Sequence, residues 1–374
     1  MIVTRTLLLI VGCWALVAMP ACANGPCSKQ AADLAAYERC IAARYRQPIA
    51  QWPAPHVDAD IPWQEMGPLP ERAPSPPDNP FSETKRALGE RLFNEPKLSR
   101  SGQIACASCH EPDEAFADGR RVSFGHDRQA GTRNAPSLAM AGLTQHPFWD
   151  GRALNLEDQA LMPVHDPVEM NFTTKELLLR LNADTQYPGL FREAFQSVGP
   201  ITAEQVAQAL ATYQRTLVSA ARNTAFEQFL RGRTQRLNDR QLHGLHLFRT
   251  QARCMNCHYG PALSDDQFHN IGLSYYGRKY EDLGRYRVTG AAKDVGAFRT
   301  PSLRLLTQTG PWMHNGLFVN LRGTVAIYNT GMPHPQPVGA QKDDPLFPKT
   351  SERLQPLGLD ADQQRALLEF LQAL

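Results

Sequence analysis

The sequence predicts a mainly α-helical protein that contains two similar modules. No segment alternates apolar and polar residues over the length of a strand, which argues against a large sheet. Five short landmarks recur in the same order in both halves: G-x-x-L-F, C-x-x-C-H, RNAPSL or FRTPSL, HPFWDG or GPWMHNG, and NL. This common order indicates that the second half repeats the architecture of the first.

Length and composition suit a globular protein of two domains. The chain has 374 residues, of which 42% are hydrophobic and 20% are charged. The formal net charge is +2, and removal of the leader described next would lower it by one. Nothing in this balance indicates a nucleic-acid partner or a polyanionic surface.

Residues 1–23 have the features of a secretory leader. Arg5 precedes the apolar run LLLIVGCWALVAM, and the small residues ACA provide a cleavage site after Ala23. The run is too short for a stable membrane anchor, and no later segment approaches a membrane-spanning length. A lipidated Cys22 is the competing interpretation, although the residues before it fit that signal poorly. We therefore expect export to the periplasm.

Residues 24–80 predict a helix followed by an arm. Residues 24–47 contain the helical stretch SKQAADLAAYERCIAARY, and residues 48–80 contain ten prolines, which predict an extended arm and not a packed element. Cys27 and Cys40 are the only cysteines outside the leader and the two C-x-x-C pairs. An oxidising compartment favours a disulfide between them, with two free thiols as the alternative.

The two modules are predicted at residues 81–236 and 237–374. Ser82 and Asp239 can cap helices that end in LGERLF and HGLHLF, and Asp360 can cap the last helix. Four apolar residues of that last helix share one face: Leu367, Phe370, Leu371 and Leu374.

Each module contains one C-x-x-C-H segment, the attachment signal of a c-type haem. In such a segment each thiol adds to one vinyl group, and the adjacent histidine lies under the iron as its proximal ligand. A zinc ion bound by four thiolates is the alternative, but such a site needs no histidine. The residues of the two segments are Cys106, Cys109, His110, Cys254, Cys257 and His258.

Aligning the two modules also allows the residues near the sixth coordination position of each iron to be compared. Tyr328 lies seven residues beyond Leu321 of the second NL, and Pro163 lies seven residues beyond Leu156 of the first. Proline has no donor atom for iron, so one haem would be closed by tyrosine and the other left open. An open iron predicts an enzyme, whereas two closed irons would indicate a non-catalytic electron carrier.

Four further residues near the first segment are candidates for chemistry. Gln159 and Glu169 can flank a small distal pocket, in which a glutamate can move a proton between the oxygens of a peroxide. His126 is a candidate removable sixth ligand on a glycine-flanked loop, and otherwise a surface histidine. Trp149 can relay electrons between two haems, or simply pack as an aromatic.

From about Ser82 to Leu374 the chain resembles the bacterial dihaem cytochrome c peroxidases, including the MauG-type enzymes. The resemblance rests on LFNEPKLSRSGQIACASCH, GTRNAPSL, FWDGRALNLEDQA, PVEM, CMNCHYGPALSDDQFHNIGL, FRTPSLR and PWMHNG. It implies two cytochrome-c-like helical domains, each with one covalently bound c-type haem. Hydrogen peroxide would be reduced in the first domain, and electrons would enter through the second.

The resemblance also implies roles for individual residues. His110 and His258 match the proximal ligands, and Glu169 matches the catalytic glutamate. The matching pocket, relay and loop residues are Gln159, Pro163, Trp149 and His126. A calcium ion between the haems is implied, with three oxygen ligands that suit a hard cation. These ligands match Asn134, Thr309 and Pro311, the last two through their carbonyl groups.

The sixth ligand of the second haem separates two branches of this family. Conventional peroxidases have methionine there and take electrons from a small c-type cytochrome or cupredoxin, whereas MauG-type members have tyrosine and oxidise a protein substrate. The motif spacing puts Tyr328 at this position, and not Met332. Ala252 stands where the best-known MauG-type enzyme has a surface tryptophan. The electron donor or protein substrate therefore stays open.

Overall fold

The computed structural model describes residues 27 and 33–374 and is mainly helical. The predicted leader lies outside the described residues. Within the described part of the chain, no helix is both long and apolar enough to cross a membrane. The α-helices are α1 Leu34–Tyr45, α2 Glu83–Phe93, α3 Leu156–Ala160, α4 Met162–His165, α5 Thr174–Ala183, α6 Tyr187–Phe195, α7 Ala203–Gln214, α8 Ala225–Leu230, α9 Asp239–Arg249, α10 Tyr286–Thr289, α11 Leu321–Asn329 and α12 Ala361–Leu371. Two short strands, β1 Phe268–His269 and β2 Phe298–Arg299, form an antiparallel pair.

Polar side chains begin the main helices, largely as predicted. The Ser82 hydroxyl accepts a hydrogen bond from the backbone N–H of Lys85 at 3.2 Å, and Asp360 caps α12 in the same way. The cap of α9 is Asn238, one residue before the predicted Asp239. Asparagine and aspartate both accept from the first turn, so the sequence does not separate two adjacent caps.

The G-x-x-L-F repeat has a packing reason. Gly89 of α2 lies against α7, where a Cβ at this position would be 2.0 Å from the carbonyl oxygen of Ala209. Gly244 of α9 lies against α12, where a Cβ would be 2.0 Å from the carbonyl oxygen of Ala366. Both helix pairs therefore approach each other at a glycine, and the two modules share this crossing.

The repeated NL pairs both begin helices, but the helices then differ. Asn155 caps α3 and Asn320 caps α11, each through its side-chain oxygen. In the first module α3 ends at Ala160, and α4 starts one residue before Pro163, which lacks the N–H that a continuous helix needs. In the second module α11 continues unbroken through Tyr328.

The buried apolar residues form two clusters. The first comes mainly from α2 and α3–α7, and the second from α1, α8, α9 and α12. Most members of the first cluster lie between Leu69 and Ala221, and most members of the second lie from Phe226 onward. The predicted face of α12 is buried, since its members are at most 8% exposed. The predicted boundary at residues 236 and 237 stays a prediction.

The arm that follows α1 is extended but, contrary to expectation, packed. Only Ile49–Gln51 of residues 48–80 forms a helical turn. Four of its apolar side chains are buried, three of them within the clusters: Trp52, Met66 and Leu69, with Ala73 as the fourth. The predicted bridge between Cys27 and Cys40 is confirmed, and it ties the start of the described chain to α1.

Candidate functional site

A cavity of about 1000 Å³ lies between the modules and is lined by both C-x-x-C-H segments. Cys106, Cys109 and His110 border it from the first module, and their counterparts border it from the second. All four thiols are free of disulfides. One cavity is therefore lined by the attachment residues for two large ligands.

The two segments have the same local geometry. In each, the backbone N–H of the histidine donates to the carbonyl of the first cysteine, at 3.1 Å for His110 and 2.8 Å for His258. The Nδ1 atoms lie 3.0 Å from the carbonyl oxygens of Phe116 and Leu263. A carbonyl only accepts, so Nδ1 carries the proton and Nε2 is left to bind a metal. Burial lowers the pKa of both imidazoles, which favours the neutral, metal-binding form.

Within the described residues, the four thiols are not grouped as a zinc site would require. Among residues 27 and 33–374, the group of possible ligand atoms within 4.8 Å of one another is Cys257, Asp265 and His269. The Nε2 atom of His269 lies 2.8 Å from the carboxylate of Asp265. Since Cys257 belongs to the second C-x-x-C-H segment, this group is part of the same site.

The predicted distal residues of the first module are brought together. Gln159, Pro163 and Glu169 all line the cavity with the first C-x-x-C-H segment. Burial raises the pKa of the Glu169 carboxyl, the nearby Asp166 raises it further, and the Arg152 guanidinium opposes both. Arg152 also lines the cavity and donates to Asp150 at 3.1 Å. The side chain is exposed to the cavity, and its carboxyl is more readily protonated than a glutamate in bulk water.

Tyr328 lines the cavity and Met332 does not. Burial raises the pKa of the Tyr328 phenol above its usual range, and the neighbouring Cys257 and Cys254 raise it further. Met332 is buried in the turn that follows α11, with a φ of +64°. The side chain that reaches the second segment is the tyrosine.

Trp149 and the three proposed calcium ligands also line the cavity. The Trp149 Nε1–H donates to the carbonyl of Asn134 at 2.9 Å. The Nδ2 of Asn134 donates to the carbonyl of Arg120 at 2.8 Å, which leaves the side-chain oxygen for another partner. Thr309 and Pro311 border the same space.

His126 lies beside the distal segment, but its side chain is not on the cavity wall. Its backbone N–H donates to the carbonyls of Val168 at 2.9 Å and Glu169 at 2.8 Å. The Nδ1 atom is buried without a hydrogen-bond partner, and Nε2 lies 3.4 Å from Asp127. A role for His126 as an iron ligand stays a prediction.

Comparison with known proteins places the chain in a family. The family described as Di-haem cytochrome c peroxidase matches residues 83–235. The MauG protein of Methylorubrum extorquens is 38% identical over 309 residues, covering 82% of each chain. The cytochrome-c peroxidase IdrP1 of a Pseudomonas species is 33% identical over 348 residues, covering 86% of this chain and 87% of that one. The chain belongs to the di-haem cytochrome c peroxidase and MauG family.

A solved structure agrees with this assignment. The crystal structure of a MauG-like protein associated with microbial copper homeostasis is 32% identical and has a TM-score of 0.72. The match covers 85% of this chain and 95% of that one. Members of this family are oxidoreductases with two c-type haems, and the cavity between the two segments fits such a pair.

Two features of the site were missed from the sequence. His314 of PWMHNG is 2% exposed and stacks on Phe298 with ring centroids 3.6 Å apart, and burial lowers its pKa to about 3. Arg133 joins the modules by binding Asp150 at 2.6 Å and Asp282 at 2.7 Å. Both residues lie in the recurring landmarks, but the sequence does not show which residues they contact in the folded protein.

Proposed function

We propose that this protein is an exported dihaem peroxidase that reduces hydrogen peroxide beside Glu169. The grouping of Glu169, Gln159 and Pro163 with the first C-x-x-C-H segment in one cavity carries the proposal. Export is supported by the leader-like start of the chain and by the disulfide, since disulfides persist in oxidising compartments.

His110 and His258 would hold the two haem irons, and the four thiols would attach the porphyrins. When bound, each haem supplies an iron that exchanges electrons one at a time. Glu169 would take a proton from one peroxide oxygen and return it to the other, a task that suits a cavity-lining carboxyl with a raised pKa. Gln159 would orient the substrate, and Pro163 leaves this position without an iron ligand.

Tyr328 would be the sixth ligand at the second haem. Its presence on the cavity wall beside Cys254 and Cys257, and the absence of Met332 from that wall, support this role. Trp149 would relay electrons between the haems, since its buried ring lies in the same cavity. A small c-type cytochrome or cupredoxin would supply the electrons.

A calcium ion between the haems is part of the proposal. Asn134, Thr309 and Pro311 share the cavity wall, and Asn134 has an uncommitted side-chain oxygen. Carboxamide and carbonyl oxygens suit this hard cation.

The second candidate is a MauG-like oxidase that modifies side chains of a partner protein. Tyr328 favours it, because tyrosine marks the MauG-type branch. The similarity to MauG and to a MauG-like protein associated with microbial copper homeostasis also supports it. A partner related to copper handling is one protein substrate to test.

Electron paramagnetic resonance of the resting ferric protein tests the proposal. We expect one high-spin and one low-spin haem, and rapid loss of both signals on addition of peroxide. Turnover with a reduced cupredoxin or cytochrome would support the peroxidase, and a mass change in a partner protein without such turnover would support the oxidase. Two low-spin haems inert to peroxide would contradict both and favour an electron carrier.

A further inference from the structure

One wall of the cavity reaches the protein surface at Tyr280. The described cavity-lining residues include four that are tyrosine or tryptophan: Trp149, Tyr280, Trp312 and Tyr328. Trp149 is 8% exposed, Trp312 and Tyr328 are half-buried, and Tyr280 is 42% exposed. Tyr280 is thus the most exposed of these four oxidisable aromatics.

The Tyr280 ring is anchored to the cavity wall. The guanidinium of Arg121, which also lines the cavity, lies 5.4 Å from the ring centroid. Arg121 donates from Nη1 to the carbonyl of Asn315 at 3.4 Å. A Cβ at Gly316 would lie 2.3 Å from the Arg121 carbonyl oxygen, so the two backbones are in close contact. Arg121 therefore links the Tyr280 ring to the backbone of Asn315 and Gly316, which directly follow the buried His314.

The surface near the second C-x-x-C-H segment is covered by the chain itself. Ala252 is 4% exposed. Beside it, the Asp58 carboxylate of the arm accepts from Asn256 at 3.0 Å, and the carbonyl of Gln64 accepts from Gly260 at 3.1 Å. Ala252 is therefore buried, whereas Tyr280 is accessible to a partner protein.

We propose that Tyr280 is the surface redox residue at which an external aromatic side chain is oxidised. This inference rests on the proposed reaction with peroxide, which takes up two electrons and two protons to form two water molecules. For each electron passed into the cavity, the Tyr280 phenol releases its proton to solvent. The resulting neutral radical then takes one hydrogen atom, a proton and an electron, from a phenol or indole outside. Tyr280 is restored, and the external aromatic becomes the radical.

The charges around Tyr280 indicate the kind of partner. Lys279 and Arg121 both lie over the Tyr280 ring, and Arg278 is exposed beside them. Of the acidic neighbours, Asp282 is paired with Arg133, and the exposed Glu281 leaves one negative charge against the three cations. The surface next to the phenol is therefore positive, and the partner aromatic is expected to be flanked by acidic residues.

A random copolymer of glutamate and tyrosine serves as the probe, because it is anionic and too large to enter the cavity. With peroxide, two of its phenols yield one dityrosine while the peroxide yields two water molecules, so dityrosine fluorescence reports the reaction. We expect Y280F to lower the rate at least tenfold and Y280W to restore most of it. The matched control is Y275F, in a ring 6.2 Å from Tyr280 that does not line the cavity. A lysine–tyrosine copolymer should react more slowly than the anionic one.

A spin trap followed by peptide mapping gives a readout that is independent of turnover. We expect a peroxide-dependent adduct on Tyr280 in the wild-type holoprotein and none at this position in Y280F. Normal dityrosine formation by Y280F, or adducts only on other residues, would overturn the assignment of Tyr280. A wild-type haem spectrum unchanged by peroxide would instead overturn the proposed function, and this inference with it.

Discussion

Glu169 combines a position on the cavity wall with a pKa raised by its surroundings. Replacing it with glutamine keeps the size and polarity of the side chain but removes its ability to move a proton. We expect E169Q to slow the reaction with peroxide about a hundredfold or more, the usual contribution of one proton-transfer group. Stopped-flow absorbance of the haem bands measures the rate.

The control for Glu169 is E193Q, at an exposed position on α6. This substitution removes the same charge from the chain and should leave the rate unchanged. Equal rates in E169Q and in the wild-type protein would remove Glu169 from the proposed chemistry.

Substitutions of Tyr328 and Met332 are expected to have different effects on the spectra of the second haem. We expect Y328F to change the absorption and EPR spectra of that haem without loss of covalent attachment, because phenylalanine has no donor atom. M332L conserves the side-chain volume and should leave both spectra unchanged. Spectra altered by M332L and not by Y328F would reverse the assignment.

At the scale of helices, the two glycine contacts determine how closely each pair packs. In G244A the new methyl group would meet the Ala366 carbonyl of α12, and the helices must separate. We expect a loss of about 2 kcal/mol or more in the free energy of unfolding, as overpacked cores show. Chemical denaturation of the holoprotein measures this change.

The matched control for the helix crossing is G189A in α6, where a Cβ would meet no heavy atom within 4 Å. Alanine is favoured over glycine in a helix, so this variant should gain about 0.5–1 kcal/mol. A G244A protein as stable as the wild type would show that the α9–α12 crossing tolerates a wider spacing.

At the scale of the whole molecule, Glu227 of α8 connects the arm at Leu69 to the segment that contains Arg304. Its side chain is fully buried and accepts from the backbone N–H of Leu69 at 3.0 Å and from Arg304 at 3.0 Å. Removing one partner of a buried ion pair leaves the other uncompensated, which costs about 3–5 kcal/mol. We expect E227A to lower the unfolding midpoint and to expose the proline-rich arm to limited proteolysis.

The control for the arm is E71Q, which removes an exposed carboxylate of the same arm that lies 3.7 Å from Arg222. Exposed pairs of this kind contribute at most about 1 kcal/mol, so stability and proteolysis should hardly change. An E227A protein with an intact, protected arm would contradict the anchoring role of Glu227.

Much of this protein was predictable because its chemistry depends on short local patterns. C-x-x-C-H predicts haem attachment through the spacing of one helical turn, and capping residues predict helix starts. The NL repeat predicted that Tyr328 and Pro163 take equivalent positions, and the two helices begin at these pairs. Residues such as His314 and Arg133 were not predictable, because their partners lie far away in the sequence.

The sequence by itself determined the helical class, the two attachment segments and the order of the repeated modules, since all of these follow from neighbouring residues. It favoured a disulfide between Cys27 and Cys40, and the structure confirmed that bridge. Only the tertiary structure decided that the arm is packed, that Tyr328 and not Met332 reaches the cavity, and that Tyr280 is both exposed and on its wall. These features depend on how segments up to hundreds of residues apart pack together. Packing of that kind is set by the shape of the whole core, which no local pattern contains.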